Sequence, residues 1–144
     1  PPARGFGRNV ALRDALVQGL TESGVSVVDI GVVPTPVNYW ALHNMPVAGG
    51  IQITGSHNPP EYNGFKMSVG KTTIFGEQIQ ELRRIMEAGN LPKGSGSISS
   101  HDIFPEYVAR YKQEFGDLKN VPVVLDCGNG TAGCIARRLY EGVG

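Results

Sequence analysis

Charge of neither sign accumulates in this chain: thirteen lysines and arginines meet thirteen aspartates and glutamates, for a formal net charge of zero. A balanced surface has no long-range field with which to gather nucleic acid or an anionic membrane, so neither partner is expected. Long apolar runs are missing too, and no stretch approaches the roughly 20 residues that a membrane-spanning helix needs. Cysteine is scarce, with only Cys127 and Cys134. They lie on what reads as a strand end and the helix after it, so two reduced thiols are expected rather than a disulfide or a metal pair. A cytoplasmic setting suits that. His43 and His101 have no metal-ligand partners at useful spacing and read as surface or helix-end residues. Arg83 and Arg84 read as a solvated helix face.

What the chain does have is glycine and proline, at 20 and 10 residues, in a hydrophobic fraction of 40% and a charged fraction of 18%. That is the balance of a soluble globular protein, and 144 residues suffice for one ordinary domain core. Helical and extended patterns alternate along it. Leu12, Leu16 and Leu20, with Ala15 and Val17, space like one helix face, and Gly24 suits the left-handed position that ends it. Val25 to Ile30 reads as a strand and Gly31 to Pro36 as a loop. Thr35 is placed to cap a short helix through His43, on which Trp40 is a core residue and Tyr39 can face a cleft. A strand runs to Thr54, another spans about Gly64 to Val69, and a helix covers about Gly76 to Ala88. Gly94-Ser95-Gly96-Ser97 reads as an exposed connector. Phe104, Val108, Tyr111 and Phe115 then make a helical stripe, Val121 to Asp126 a strand, and Thr131 to Glu141 a closing helix. The pattern predicts an α/β fold, a layered α/β/α domain with a mixed sheet, followed by the opening β-α of a second similar domain. The expected division is residues 1–100, a connecting helix at 101–119, and a truncated second domain at 120–144. The final helix has an apolar side and no following strand to cover it, so a fragment of a larger protein is expected.

Chemistry concentrates in Ile51 to Met67. The β-branched run to Thr54 enters Gly55-Ser56-His57-Asn58-Pro59-Pro60, which places a hydroxyl on a tight turn. Gly55 permits a sharp bend or a close backbone approach, and the two prolines stiffen the far side. Ser56 is the candidate reacting atom. Asn63-Gly64 marks a second turn that folds the chain back and brings Lys66 towards Ser56. His57 adds a titratable group and Lys66 a fixed positive charge. A phosphoryl group on a serine carries about −1.5 to −2 charges at neutral pH, so cations beside it are stabilising. A plain polar surface turn is the alternative reading of these residues.

Thr54-Gly55-Ser56-His57-Asn58-Pro59-Pro60, followed by Tyr62-Asn63-Gly64-Phe65-Lys66, resembles the phosphoserine loop of the α-D-phosphohexomutase superfamily, most nearly its bacterial phosphomannomutase/phosphoglucomutase branch. Gly31-Val32-Val33-Pro34-Thr35-Pro36 with Tyr39, Glu77-Gln78-Ile79-Gln80, and Val124-Leu125-Asp126-Cys127-Gly128-Asn129-Gly130-Thr131-Ala132-Gly133 agree with it in order and spacing. The resemblance runs from about Leu16 onward. It implies an isomerase that moves a phosphoryl group between hexose 1-phosphate and hexose 6-phosphate, of mannose or glucose, through phosphorylated Ser56 and a bisphosphorylated sugar. His57 and Lys66 become catalytic, Arg8, Asn58 and Tyr39 substrate- or phosphate-binding, and Mg2+ a ligand of the Ser56 phosphate. Hexose 1,6-bisphosphate becomes the activator, and the remaining domains of its own chain become partners.

The sequence departs from the family in two places. Phe6-Gly7-Arg8-Asn9-Val10-Ala11 has asparagine and alanine where the family carries aspartate and a second arginine in a loop before the first helix. Arg13, inside the expected helix, is a poor replacement. The acidic metal loop of the second domain has no counterpart, and Asp126 stands alone. The glycines from Gly128 to Gly133 suit either a phosphate cradle or tight strand-to-helix packing. The fragment alone is expected to be inactive or nearly so. A non-catalytic sugar-phosphate or partner-binding module with a vestigial or regulatory Ser56 is the competing reading. A Ser-His hydrolase is disfavoured, because adjacent side chains rarely pair as nucleophile and base.

Overall fold

The structure is a computed structural model that describes residues 6–59, 61–116, 118, 121–128 and 130–143, with the side chains of residues 6–8 outside the description. Helix α1, Phe6–Glu22, turns Leu12, Leu16, Val17 and Leu20 inward as its half-buried stripe. It ends as the glycine predicted. Gly24 lies at φ +88°, its N–H donates to the Thr21 carbonyl at 3.0 Å, and the Val25 N–H reaches back to Leu20 at 2.9 Å. These are the paired bonds of a Schellman cap. Strand β1 follows at Val27–Asp29 and helix α2 at Thr35–Asn44. Thr35 does not cap α2. Pro34 holds that position in extended backbone with no side-chain bond, and Pro36 near the start loses nothing by lacking an N–H there.

Strands β2 (Gly49–Ile53), β3 (Phe65–Val69) and β4 (Thr72–Thr73) form an antiparallel sheet in that order. Helix α3 spans Glu77–Ala88. Arg83 pairs with Glu87, and Arg84 with Glu77 and Glu81, on its solvated face. Strand β5, Ile98–Ser100, pairs parallel with β1. The preceding Gly94-Ser95-Gly96-Ser97 is more than a connector, because the Gly94 and Gly96 N–H groups bond Glu22 and Thr21 at the end of α1, each at 2.8 Å. Parallel and antiparallel pairings both occur, in keeping with the expected mixed α/β fold. Among the described residues they lie in two ladders, β1–β5 and β2–β3–β4.

Helix α4, Phe104–Phe115, a 3-10 turn at Thr131–Cys134 and helix α5, Ala136–Val143, complete the described elements. Val121 to Asp126 forms no ladder among the described residues. A strand needs a neighbour to satisfy its backbone, and Val124, at 98% exposure, has none covering it. The core gathers Val33, Val37 and Ala41 from α2 and its approach, Ile103 and Tyr107 from the start of α4 and α4 itself, and Ile135 before α5. Trp40 packs edge-on to Tyr107 with ring centroids 5.6 Å apart, as its core assignment anticipated. Cys127 and Cys134 are free thiols. No described helix is long and apolar enough to cross a membrane.

Candidate active site

The Ser56 turn grows out of the β2–β3 ladder. Register pairs Ile53 with Phe65 and Gln52 with Lys66, and the Thr54 N–H extends the ladder to the Gly64 carbonyl at 2.9 Å. Residues two apart on a strand share a face, so Thr54, Gln52 and Lys66 belong to one side of this hairpin. Past Thr54 the chain bends at once. Gly55 passes so close to the opposite arm that a Cβ there would sit 3.0 Å from the Tyr62 carbonyl oxygen. Glycine is the residue that fits.

Ser56 comes next, at φ +53°, the one residue other than glycine with a positive φ among those described. A non-glycine residue in this left-handed region costs about 1–2 kcal/mol and needs local support. Thr54 supplies it: the Ser56 N–H donates to Thr54 Oγ1 at 2.9 Å. The Asn58 N–H closes the turn onto the Gly55 carbonyl at 3.0 Å, and the Tyr62 N–H bonds Pro59 at 2.9 Å. Asn58 thus closes the turn through its backbone N–H.

The turn brings Ser56, His57 and Asn58 together on one exposed edge, with Lys66 on the adjoining strand, also exposed. Tyr39 is 37% exposed on α2, a separate element. Arg8 lies within the first turns of α1 and not in a loop before it, and its side chain is outside the described residues. Pro60 and Asn129 are outside them as well. Arg13 is engaged elsewhere: its Nε donates to Asp29 Oδ2 at 2.9 Å and its Nη1 to Asp14 at 2.7 Å. Asp29 also accepts the Gly31 N–H at 2.8 Å. Burial pushes the Asp29 carboxyl up, but the Gly31 N–H and the Arg13 guanidinium outweigh it and hold the carboxyl below its ordinary value.

In the glycine-rich turn before α5 the Gly128 and Gly130 amides bond inside the turn. Gly128, at φ +54°, donates to Asp126 Oδ1 at 2.8 Å, and the Gly130 N–H bonds the Cys127 carbonyl at 2.7 Å. Gly128, Gly130 and Gly133 are exposed. No group of three or more His, Cys, Asp or Glu side chains converges among the described residues. A divalent cation therefore finds no cage in them, and a phosphorylated Ser56 would offer it a single ligand. Thr54 and Tyr62 are the contributors that a scan for reactive side chains passes over. A threonine two residues before a turn position is the signal that finds the first.

Residues 6–93 match the family model for phosphoglucomutase/phosphomannomutase, alpha/beta/alpha domain I. The chain belongs to this family. It is 46% identical over 129 residues to a phosphomannomutase/phosphoglucomutase of Pseudomonas aeruginosa, covering 90% of this chain and 28% of that protein. A phosphoglucomutase of Neisseria meningitidis serogroup B shares 40% over 135 residues, covering 92% and 29%. A phosphoglucomutase/phosphomannomutase family protein of Burkholderia thailandensis superposes with a TM-score of 0.84 at 42% identity, covering 92% of this chain and 31% of that one. The chain thus spans under a third of the length of these family members. The Ser56 turn and Lys66 both fall inside the segment matched to the phosphoglucomutase/phosphomannomutase domain.

Proposed function

We propose that this chain carries the phosphoryl-transfer serine of a phosphohexomutase, an isomerase interconverting the 1- and 6-phosphates of mannose or glucose. One observation carries the reading: Ser56 is held, exposed, in a left-handed conformation on a braced turn inside the matched segment. Backbone held in a sparsely populated region on a loop is characteristic of functional sites. Relatives named for mannose and glucose reach 46% identity, against 35% for a probable phosphoglucosamine mutase of Thermococcus gammatolerans. That difference supports a hexose without an amino group.

In the forward half-reaction the bond from Ser56 Oγ to phosphorus breaks as a new bond forms from phosphorus to a hydroxyl of the hexose monophosphate. The sugar hydroxyl gives up its proton and Ser56 recovers one. The bisphosphorylated sugar then returns its other phosphoryl group to Ser56 by the reverse exchange, so atoms and charge balance over the cycle. His57 is the group on this turn able to take or give the proton, and Lys66 offsets charge on the phosphoryl oxygens. Asn58 fixes the turn, while Tyr39 and Arg8 contact substrate. Mg2+ would add charge neutralisation at the serine phosphate. The described residues do not form its site, so no step here runs through it.

The relatives' greater length supports placing sugar recognition in further domains of a longer protein, with residues 1–100, 101–119 and 120–144 as first domain, connecting helix and start of the second. The 144-residue chain is then expected to take a phosphoryl group slowly onto Ser56 from hexose 1,6-bisphosphate without completing turnover. Intact mass after incubation with the bisphosphate checks this. Uptake absent from Ser56→Ala supports the site, and uptake unchanged in that variant rejects it. A sugar-phosphate or partner-binding module with a vestigial Ser56 would bind hexose phosphate and take up nothing.

A further inference from the structure

The phosphoserine reading leaves open what keeps Ser56 in its unusual conformation before any ligand arrives. Exposed serine has no reason of its own to occupy φ +53°, because its Cβ then crowds the following carbonyl. Neither neighbour in the chain forces it there: Gly55 is the most permissive residue available, and His57 is exposed. Among the described residues two restraints act on it: the turn bond from the Asn58 N–H to the Gly55 carbonyl at 3.0 Å, which any residue at position 56 would keep, and the Thr54 hydroxyl. Thr54 is anchored to the hairpin by its own N–H, which bonds Gly64 at 2.9 Å, and its Oγ1 accepts the Ser56 N–H at 2.9 Å. The sheet's register thereby passes through one side chain to the residue carrying the reacting oxygen.

We propose that Thr54 is a positioning residue for phosphoryl transfer, its hydroxyl holding Ser56 in the left-handed conformation that presents Oγ at the open edge of the turn. The role rests on the reading of Ser56 as phosphoryl acceptor. Net hydrogen-bond stabilisation and the cost of the left-handed region are of similar size. Removing the bond therefore shifts the loop population instead of unfolding the domain. Reaction rate is sensitive to such a shift because it depends on the reacting atom already being in place.

The test compares Thr54→Val, which keeps shape and loses the acceptor, with Thr54→Ser, which keeps the acceptor. Two quantities are read on the full-length protein: the Ser56 amide exchange and Cα and Cβ shifts by NMR, and the rate of phosphoryl uptake from hexose 1,6-bisphosphate by mass. The expected result for Thr54→Val is loss of amide protection and of the positive-φ shift pattern, with uptake about tenfold slower, equivalent to 1.4 kcal/mol. Thr54→Ser restores both. A Thr54→Val chain that keeps the Ser56 conformation overturns the proposal, and so does one that loses it while taking up phosphate at the wild-type rate. A full-length wild-type protein with the NMR signature intact and no uptake sinks the acceptor reading itself, and the role of Thr54 falls with it.

Discussion

Ser56 and Asp29 illustrate how single side chains fix this molecule from opposite directions. Ser56 is exposed and strained, and it draws its placement from Thr54 and from the room that Gly55 leaves beneath the Tyr62 carbonyl. The sequence made the serine conspicuous through its neighbours His57, Asn58 and Pro59. The left-handed φ was not legible, because serine seldom adopts it and only the folded hairpin imposes it. Asp29 is half-buried and joins β1 to α1 through Arg13 and to the following turn through the Gly31 N–H. Its carboxyl is held below the ordinary aspartate value of about 3.9. With the folded-state pKa depressed, its contribution to stability is fully present above about pH 4 and is lost as the pH falls through the folded value. Asp29→Asn is expected to lower the melting temperature at neutral pH and to flatten the acid limb below pH 4. Equal melting temperatures for both proteins at pH 7 would contradict this.

Elements with a clear period or a clear stop were readable. The leucine stripe and Gly24 gave α1 and its cap, and the aromatic stripe Phe104 to Phe115 gave α4. Strand β5 was hidden because Ile98-Ser99-Ser100 is short and serine-rich, and it exists through its parallel partner β1. Val121 to Asp126 fails in the other direction: its composition is that of a strand, yet no partner pairs with it among the described residues. Helix α4 anchors the core. Ile103 is fully buried, so Ile103→Ala is expected to cost about 2–5 kcal/mol, read by urea unfolding. A loss under about 1 kcal/mol would mean that this contact does not hold α4 in place. Tyr107 adds a pH signature. Burial first, then its bond to Tyr111, push its phenol up to about 12. The neutral form is favoured in the fold, so this stability is present below pH 10 and is lost as the pH rises towards 12. Tyr107→Phe should remove that alkaline loss.

For the whole molecule, the balanced charge predicts no nucleic-acid or membrane partner, and the proposed function places anion binding at the Ser56 turn. The family was legible in the run from Thr54 to Lys66, because loop, turn and cation are all dictated by local residues. Arg8 shows the limit, since a loop read by resemblance lies inside α1. The mixed pairing was expected, while which strands pair among the described residues was out of reach, because pairing depends on residues distant in sequence. The central claim is that Ser56 carries a phosphoryl group. Intact mass of the protein purified from cells, before and after phosphatase, with the modified residue mapped, tests it most directly. One phosphatase-sensitive phosphoryl group is expected on Ser56, absent from Ser56→Ala and restored to the dephosphorylated protein by hexose 1,6-bisphosphate. An unmodified Ser56 that stays unmodified with the bisphosphate would contradict it.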